Sequence, residues 1–227
     1  MNTVVERKQK ISKAAVIFLI VMSVLSFANF IRIEIGGNLL KLAGLVVIIG
    51  VVAFFVTRGK NDSKYEGLNI KKTFSQMKSK KVIIFALIPV VLDVTQICIE
   101  KAFFPEILEH MVARIPFEIN PAMIVPIVLE LLLVPLGEEI ALRAFYQKQM
   151  GKLTGLVPAL IIASFIFAIG HFSYGNPAIV AVDLAGVFID SIFFGLVFKE
   201  TDNAWCSWIS HSLADIVAVV VMMIIMI

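Results

Sequence analysis

The stretch PIVLELLLVPLGEEIALRAFYQ, residues 126–147, decides the fold. A helix needs about 20 largely apolar residues to cross the hydrocarbon core of a bilayer, and this run is long enough. Yet Glu130, Glu138, Glu139 and Arg143 sit inside it. A charge at mid-bilayer costs about 2.5–3.5 kcal/mol on insertion scales, so such groups mark function by default.

The rest of the chain matches that reading. Hydrophobic residues make up 59% of the 227 and charged residues 16%, with a formal net charge of +3. A soluble domain has roughly 25% charged residues, and one globular core does not hide this much apolar surface, whereas lipid does. The expected fold is all-α: a polytopic transmembrane helix bundle, one membrane-embedded domain over residues 1–227. About seven spans (six to eight) are expected, at 13–31, 38–57, 82–100, 121–146, 155–174, 177–198 and 204–226. No internal repeat is visible. Cys98 and Cys206 fall in apolar segments without a CxxC spacing, which excludes a disulfide framework or a zinc ribbon. The first apolar run is long enough to span, and Ser26-Phe27-Ala28-Asn29 is a poor cleavage site, so no cleavable signal peptide is expected.

Basic residues lie between the apolar runs, which argues against a nucleic-acid partner and sets an orientation. Arg7, Lys8, Lys10 and Lys13 precede the first span, and Arg58, Lys60, Lys64, Lys71, Lys72, Lys78, Lys80 and Lys81 follow the second. Lys148, Lys152 and Lys199 fall on the same side, against Arg32, Lys101 and Arg114 on the other. The N-terminus is therefore expected in the cytoplasm, and Ile- and Lys-rich usage points to a bacterial plasma membrane. Residues 101–120, of mixed polarity, read equally as an amphipathic interfacial helix or as a connecting loop. His110 within them reads as a surface residue.

Helical geometry sorts the intramembrane groups. Glu139 and Arg143 are four apart and share a face as an ion pair. Glu138 is turned by about 100° from Glu139 and faces a different space, free to exchange a proton as a general base or acid. The alternative is that both glutamates pair with Arg143 and only join helices. His211 and Asp215 are four apart on the last span, placed for a carboxylate to orient the imidazole. Phe167 and His171 have the same spacing on the fifth span.

Glu138-Glu139-Ile-Ala-Leu-Arg143, Phe167-Ala-Ile-Gly-His171 and His211-Ser-Leu-Ala-Asp215 follow one another in that order. They resemble the EExxxR, FxxxH and HxxxN/D motifs of the CAAX protease and bacteriocin-processing (CPBP, or Abi) family of intramembrane glutamic-type endopeptidases. FFGLVFKETDNAWCSWISH, ahead of and including His211, resembles the family's glycine, charged turn and tryptophan. The resemblance covers residues 121–220, which it implies are the catalytic core. It implies that Glu138 and His171 activate a water against a peptide carbonyl and that His211 with Asp215 stabilises the oxyanion. Glu139 and Arg143 would hold the span in shape. Asp215 stands where some relatives carry Asn; an ionised Asp repels an oxyanion, so orientation of His211 is the role expected of it.

The resemblance implies a peptide or membrane-tethered protein as substrate, either a prenylated protein or a pheromone or bacteriocin precursor. A non-catalytic bacteriocin-immunity or scaffold protein is the alternative, and a proton-coupled transporter using Asp93, Glu130, Asp183 and Asp190 is a further one. Glu138, His171, His211 and Asp215 are a donor set that suits zinc, but no HExxH spacing is present and no metal or other cofactor is expected. One conflict stands: counting along the spans puts Glu138 and His211 toward the cytoplasmic half and His171 near the outer end of the fifth. A later start, a tilt or a break in the fifth span would reconcile them, and Pro158 and Gly175-Asn176-Pro177 permit each.

Overall fold

The computed structural model describes residues 11–31, 34–35, 38–39, 42–58, 66–113 and 123–226. Helix α1 (Lys13–Ala28) is capped by Ser12, whose side chain accepts from the Ala15 amide. Two-residue strands β1 (Glu34–Ile35) and β2 (Asn38–Leu39) pair antiparallel before α2 (Ala43–Val56). There follow α3 (Ile70–Gln76), α4 (Lys80–Phe103), α5 (Pro105–Ala113) and α6 (Ile124–Glu138). A π-helical segment (Glu139–Gln147) joins α6 without a break to α7 (Lys148–Thr154). The chain ends in α8 (Leu156–Gly170), α9 (Pro177–Thr201) and α10 (Ala204–Met226).

Helices α4, α9 and α10 are long and apolar enough to cross a membrane, while α1, α2 and α8 are apolar but shorter. Their outward faces carry Ile17, Ile48, Ile84, Ile189, Phe165 and Ile224, each exposed, as expected where lipid is the solvent. Arg7, Lys8, Lys10, Arg32, Lys60, Lys64 and Arg114, used for the expected orientation, lie outside the described residues. Lysines bridge the elements at one end, where Lys148 bonds Asp202 at 2.7 Å and Glu66 at 2.8 Å and Lys81 bonds Glu200 at 2.8 Å; Lys101 lies at the opposite end of α4.

The π segment packs against α2, α10 against α4, α9 and α6, and α8 against α9. Leu19, Met22, Phe54, Phe145 and Ile166 form the core of α1, α2, α8 and the π segment. Asn203, between α9 and α10, ties α3 to that corner. Its amide donates to the Asn69 carbonyl (2.9 Å), to Thr73 (3.1 Å) and to Gln76 (2.8 Å), and its oxygen accepts from the Asn69 amide (3.0 Å). Asp202 turns the chain in the left-handed region (φ 46°). At the other end of α9, Asn176 caps the helix by accepting from Ala178, with Pro177 in the first turn.

The depth conflict disappears because the fourth helix is longer than residues 121–146. It runs on through α7 and turns at Gly155, whose φ of 91° suits glycine alone. Glu138 lies 17 residues before Gly155 and His171 lies 16 residues after it. The two arms of this hairpin are thus nearly equal, and both side chains come to one level. The same holds across the Lys148–Asp202 bond, since Glu139 is nine residues before Lys148 and His211 nine after Asp202.

Close approach of α2 to the π segment requires Gly50: a Cβ there would overlap the Ala141 side chain and lie 2.9 Å from its Cα. Gly50→Ala is therefore expected to destabilise by about 1–3 kcal/mol, read as a lower Tm in detergent. Gly44→Ala, on the same helix with nothing within 4 Å, is expected to leave Tm unchanged or raise it slightly.

Candidate active site

His211 is the centre of a cluster of acids. Its Nδ1 lies 3.0 Å from Glu139 Oε1, and its Nε2 lies 3.6 Å from Asp215 Oδ2 and 3.8 Å from Glu138 Oε2. Phe194 stacks on the ring, with centroids 4.3 Å apart, and fixes its plane. The hydrogen bond that orients the imidazole thus comes from Glu139, whereas Asp215 faces the other nitrogen. Glu138 and Glu139 do not diverge into separate spaces; they approach the same ring from its two sides.

Behind Glu139 stands Arg143. Its Nε is 3.4 Å from Glu139 Oε2, with both side chains fully buried. Arg143 Nη2 donates to Ser191 on α9 at 2.7 Å, and Gln147, one turn on, donates to the Gly195 carbonyl at 3.0 Å. The guanidinium also lies 5.4 Å from the centre of the Phe167 ring. Phe167 in turn contacts both histidines, with centroids 4.5 Å from His171 and 5.6 Å from His211.

His171 ends α8. Its Nδ1 is 2.9 Å from the Phe167 carbonyl; a carbonyl only accepts, so Nδ1 carries the proton and the neutral ring has its lone pair on Nε2. Glu138 and His171 line one narrow cleft with Leu142 and Phe167. His171, His211 and Asp215 also line a larger cavity of about 290 Å³. Asp93, Glu130, Asp183 and Asp190, the acids a proton relay would use, line that same cavity. Among the described residues, no three His, Cys, Asp or Glu side chains are placed to hold a metal together.

His110 is not a surface residue. Its side chain is 13% exposed, with Nε2 2.9 Å from Ser173 and 3.7 Å from Asp183. Sequence reading also missed Trp208, whose indole donates to the Leu132 carbonyl at 2.7 Å.

Residues 120–217 match the family model described as type II CAAX prenyl endopeptidase Rce1-like. The match supports the CAAX protease and bacteriocin-processing family, and at that level a peptidase of the membrane. Neither a curated protein nor a solved structure matches the chain.

Arg143→Met would leave Glu139 buried without its cation. The expected cost is about 3–5 kcal/mol, seen as a large drop in Tm in detergent. Arg143→Lys should recover only part of it, because a point-like ammonium does not reproduce the fork that reaches Glu139 and Ser191 together.

Proposed function

We propose that this chain is an integral membrane endopeptidase that hydrolyses a peptide bond through a water activated by Glu138 and His171. The observation that carries the reading is the arrangement around His211. One ring nitrogen is held by Glu139 and the other is turned toward Glu138 and Asp215, with His211 and Asp215 on the cavity wall.

Each residue then has a task. Glu138 takes a proton from water as the oxygen attacks the carbonyl carbon, with the Nε2 lone pair of His171 as second acceptor. The carbonyl becomes an oxyanion, and His211 donates to it from Nε2. Collapse breaks the C–N bond, and the proton returns from Glu138 to the leaving amine. Glu139 keeps Nδ1 occupied, so the donor on Nε2 stays aimed. Arg143 holds Glu139 in place to accept from Nδ1, so a His211 that donates from both nitrogens is an imidazolium, and Asp215 supports that charge. No resident metal is required by these steps.

The substrate is a peptide precursor or a membrane-tethered protein, prenylated proteins and pheromone or bacteriocin precursors being the two classes the family resemblance implies. The lysine-rich end faces the cytoplasm under the positive-inside rule, with the N-terminus on that side.

Three outcomes are expected. Mass spectrometry of membrane and secreted peptides should show products in cells with the wild type that vanish with Glu138→Gln; identical profiles would overturn the reading and leave a scaffold. Asp215→Asn should keep cleavage within about tenfold while Asp215→Ala loses more, since Asn still offers an oxygen to Nε2; equal loss in both would remove that role. Cleavage should also survive prolonged treatment of the purified protein with EDTA and phenanthroline, and loss restored by zinc would refute a metal-free water.

A further inference from the structure

Helices α4 and α9 run antiparallel, as the Lys81–Glu200 bond at 2.8 Å between the start of one and the end of the other requires. Asp93, Gln96 and Glu100 on α4 are three and four residues apart, and so share a face. Asp183, Gly186 and Asp190 have the same spacing on α9. The two faces meet in register. Asp93 and Asp190 line one cavity wall together, and the Gln96 amide lies over Gly186, 3.0 Å from where a Cβ would stand. Glu100 lies within electrostatic reach of Asp183. The result is a ladder of two carboxylate rungs about 10 Å apart along the helices.

The ladder borders two cavities. Asp93, Gln96, Asp183 and Asp190 face the one that holds His171 and His211. Gln96, Glu100 and Asp190 face an adjoining apolar one of about 470 Å³, with Leu92, Ile99 and Phe104. Among the described residues, neither wall contains a lysine or an arginine. The imidazole beside the outer rung is His110, 3.7 Å from Asp183. Glu100 gives the second sign of a ligand. It is only 3% exposed and is among the residues that line the apolar cavity; Oε1 accepts from Gln96 at 2.7 Å, but the buried Oε2 has no hydrogen-bond partner. A buried carboxylate oxygen left unpaired is costly.

We propose that the ladder is a subsite for a cationic side chain of the substrate, the ammonium of lysine or the guanidinium of arginine, carried by an otherwise apolar peptide segment. The choice of class follows from the walls. A lysine or arginine stem lies along apolar surface while its head bonds a carboxylate. No three of these acids converge as a metal ion requires among the described residues, whereas an organic cation spreads several N–H donors over a wider radius. A substrate that brought a carboxylate here would meet like charge at low dielectric. The subsite rests on the endopeptidase reading for where the scissile bond lies, but not for binding itself.

The test uses dansyl-labelled decapeptides of Leu and Ala that differ at one central position: lysine, norleucine or glutamate. Equilibrium binding is read by fluorescence on the full-length Glu138→Gln protein in detergent, and cleavage of the same peptides by the wild type is read by mass spectrometry. The lysine peptide should bind about tenfold tighter than the norleucine peptide, and the glutamate peptide more weakly than either. Glu100→Gln should reduce that preference several-fold. Equal affinity for the lysine and norleucine peptides overturns the subsite without recourse to any variant, and is also what a ladder serving only as a proton path would give. A lysine preference in binding with no product from any peptide would leave the subsite and count against the endopeptidase; cleavage indifferent to charge would do the reverse.

Discussion

Arg143 is fully buried in a helix surrounded by apolar side chains, and its guanidinium does not lose its charge under ordinary conditions. The chain must therefore supply an anion at that depth, and Glu139 on the preceding turn is that anion. Desolvation of both ions weighs against the pair, so it adds little stability by itself, while loss of either member is severe. Its value is positional. Glu139 has two oxygens, and with one committed toward Arg143 the other meets His211 in one geometry. Ser191 and Phe167 meet the same guanidinium from α9 and α8. Three elements thus meet at a single cation, and α10 joins them through the His211–Glu139 contact.

The π winding belongs to the same arrangement. It begins at Glu139 and ends at Gln147, so it includes Glu139 and Arg143 but leaves Glu138 as the last α-helical residue. Glu138 and Glu139 address Nε2 and Nδ1 of a single imidazole from the junction of the two windings, and such segments recur at functional sites.

Much of this was legible in the chain itself. Apolar runs marked the helices because lipid covers their outward faces, and the start of α9 fell at Pro177 as expected, although the helix runs on to Thr201 rather than 198. Four-residue spacing placed Glu139 with Arg143 because that pair is local. Contacts between helices were less accessible. That Glu139 rather than Asp215 holds Nδ1 depends on how α10 is rotated against the π segment, which no spacing within one helix encodes. The π segment was hidden because EIALRAFYQ is good α-helical sequence, and the length of α7 because Lys148-Gln149-Met150 reads as a polar end to the span. His110 looked exposed for the same reason: Ser173 and Asp183 are distant in sequence.

The hairpin about Gly155 acts as a ruler. Glu138 and His171 come level only because the chain counts nearly the same number of residues down one arm and up the other. One residue added to either arm would shift its side chain by about 1.5 Å and swing it through about 100°, out of the cleft altogether. The two arms can therefore change length only in concert, whereas the segment between α8 and α9 bears no such restriction on the Glu138–His171 pairing. Spacing across a turn, rather than within a motif, is the quantity this site holds fixed.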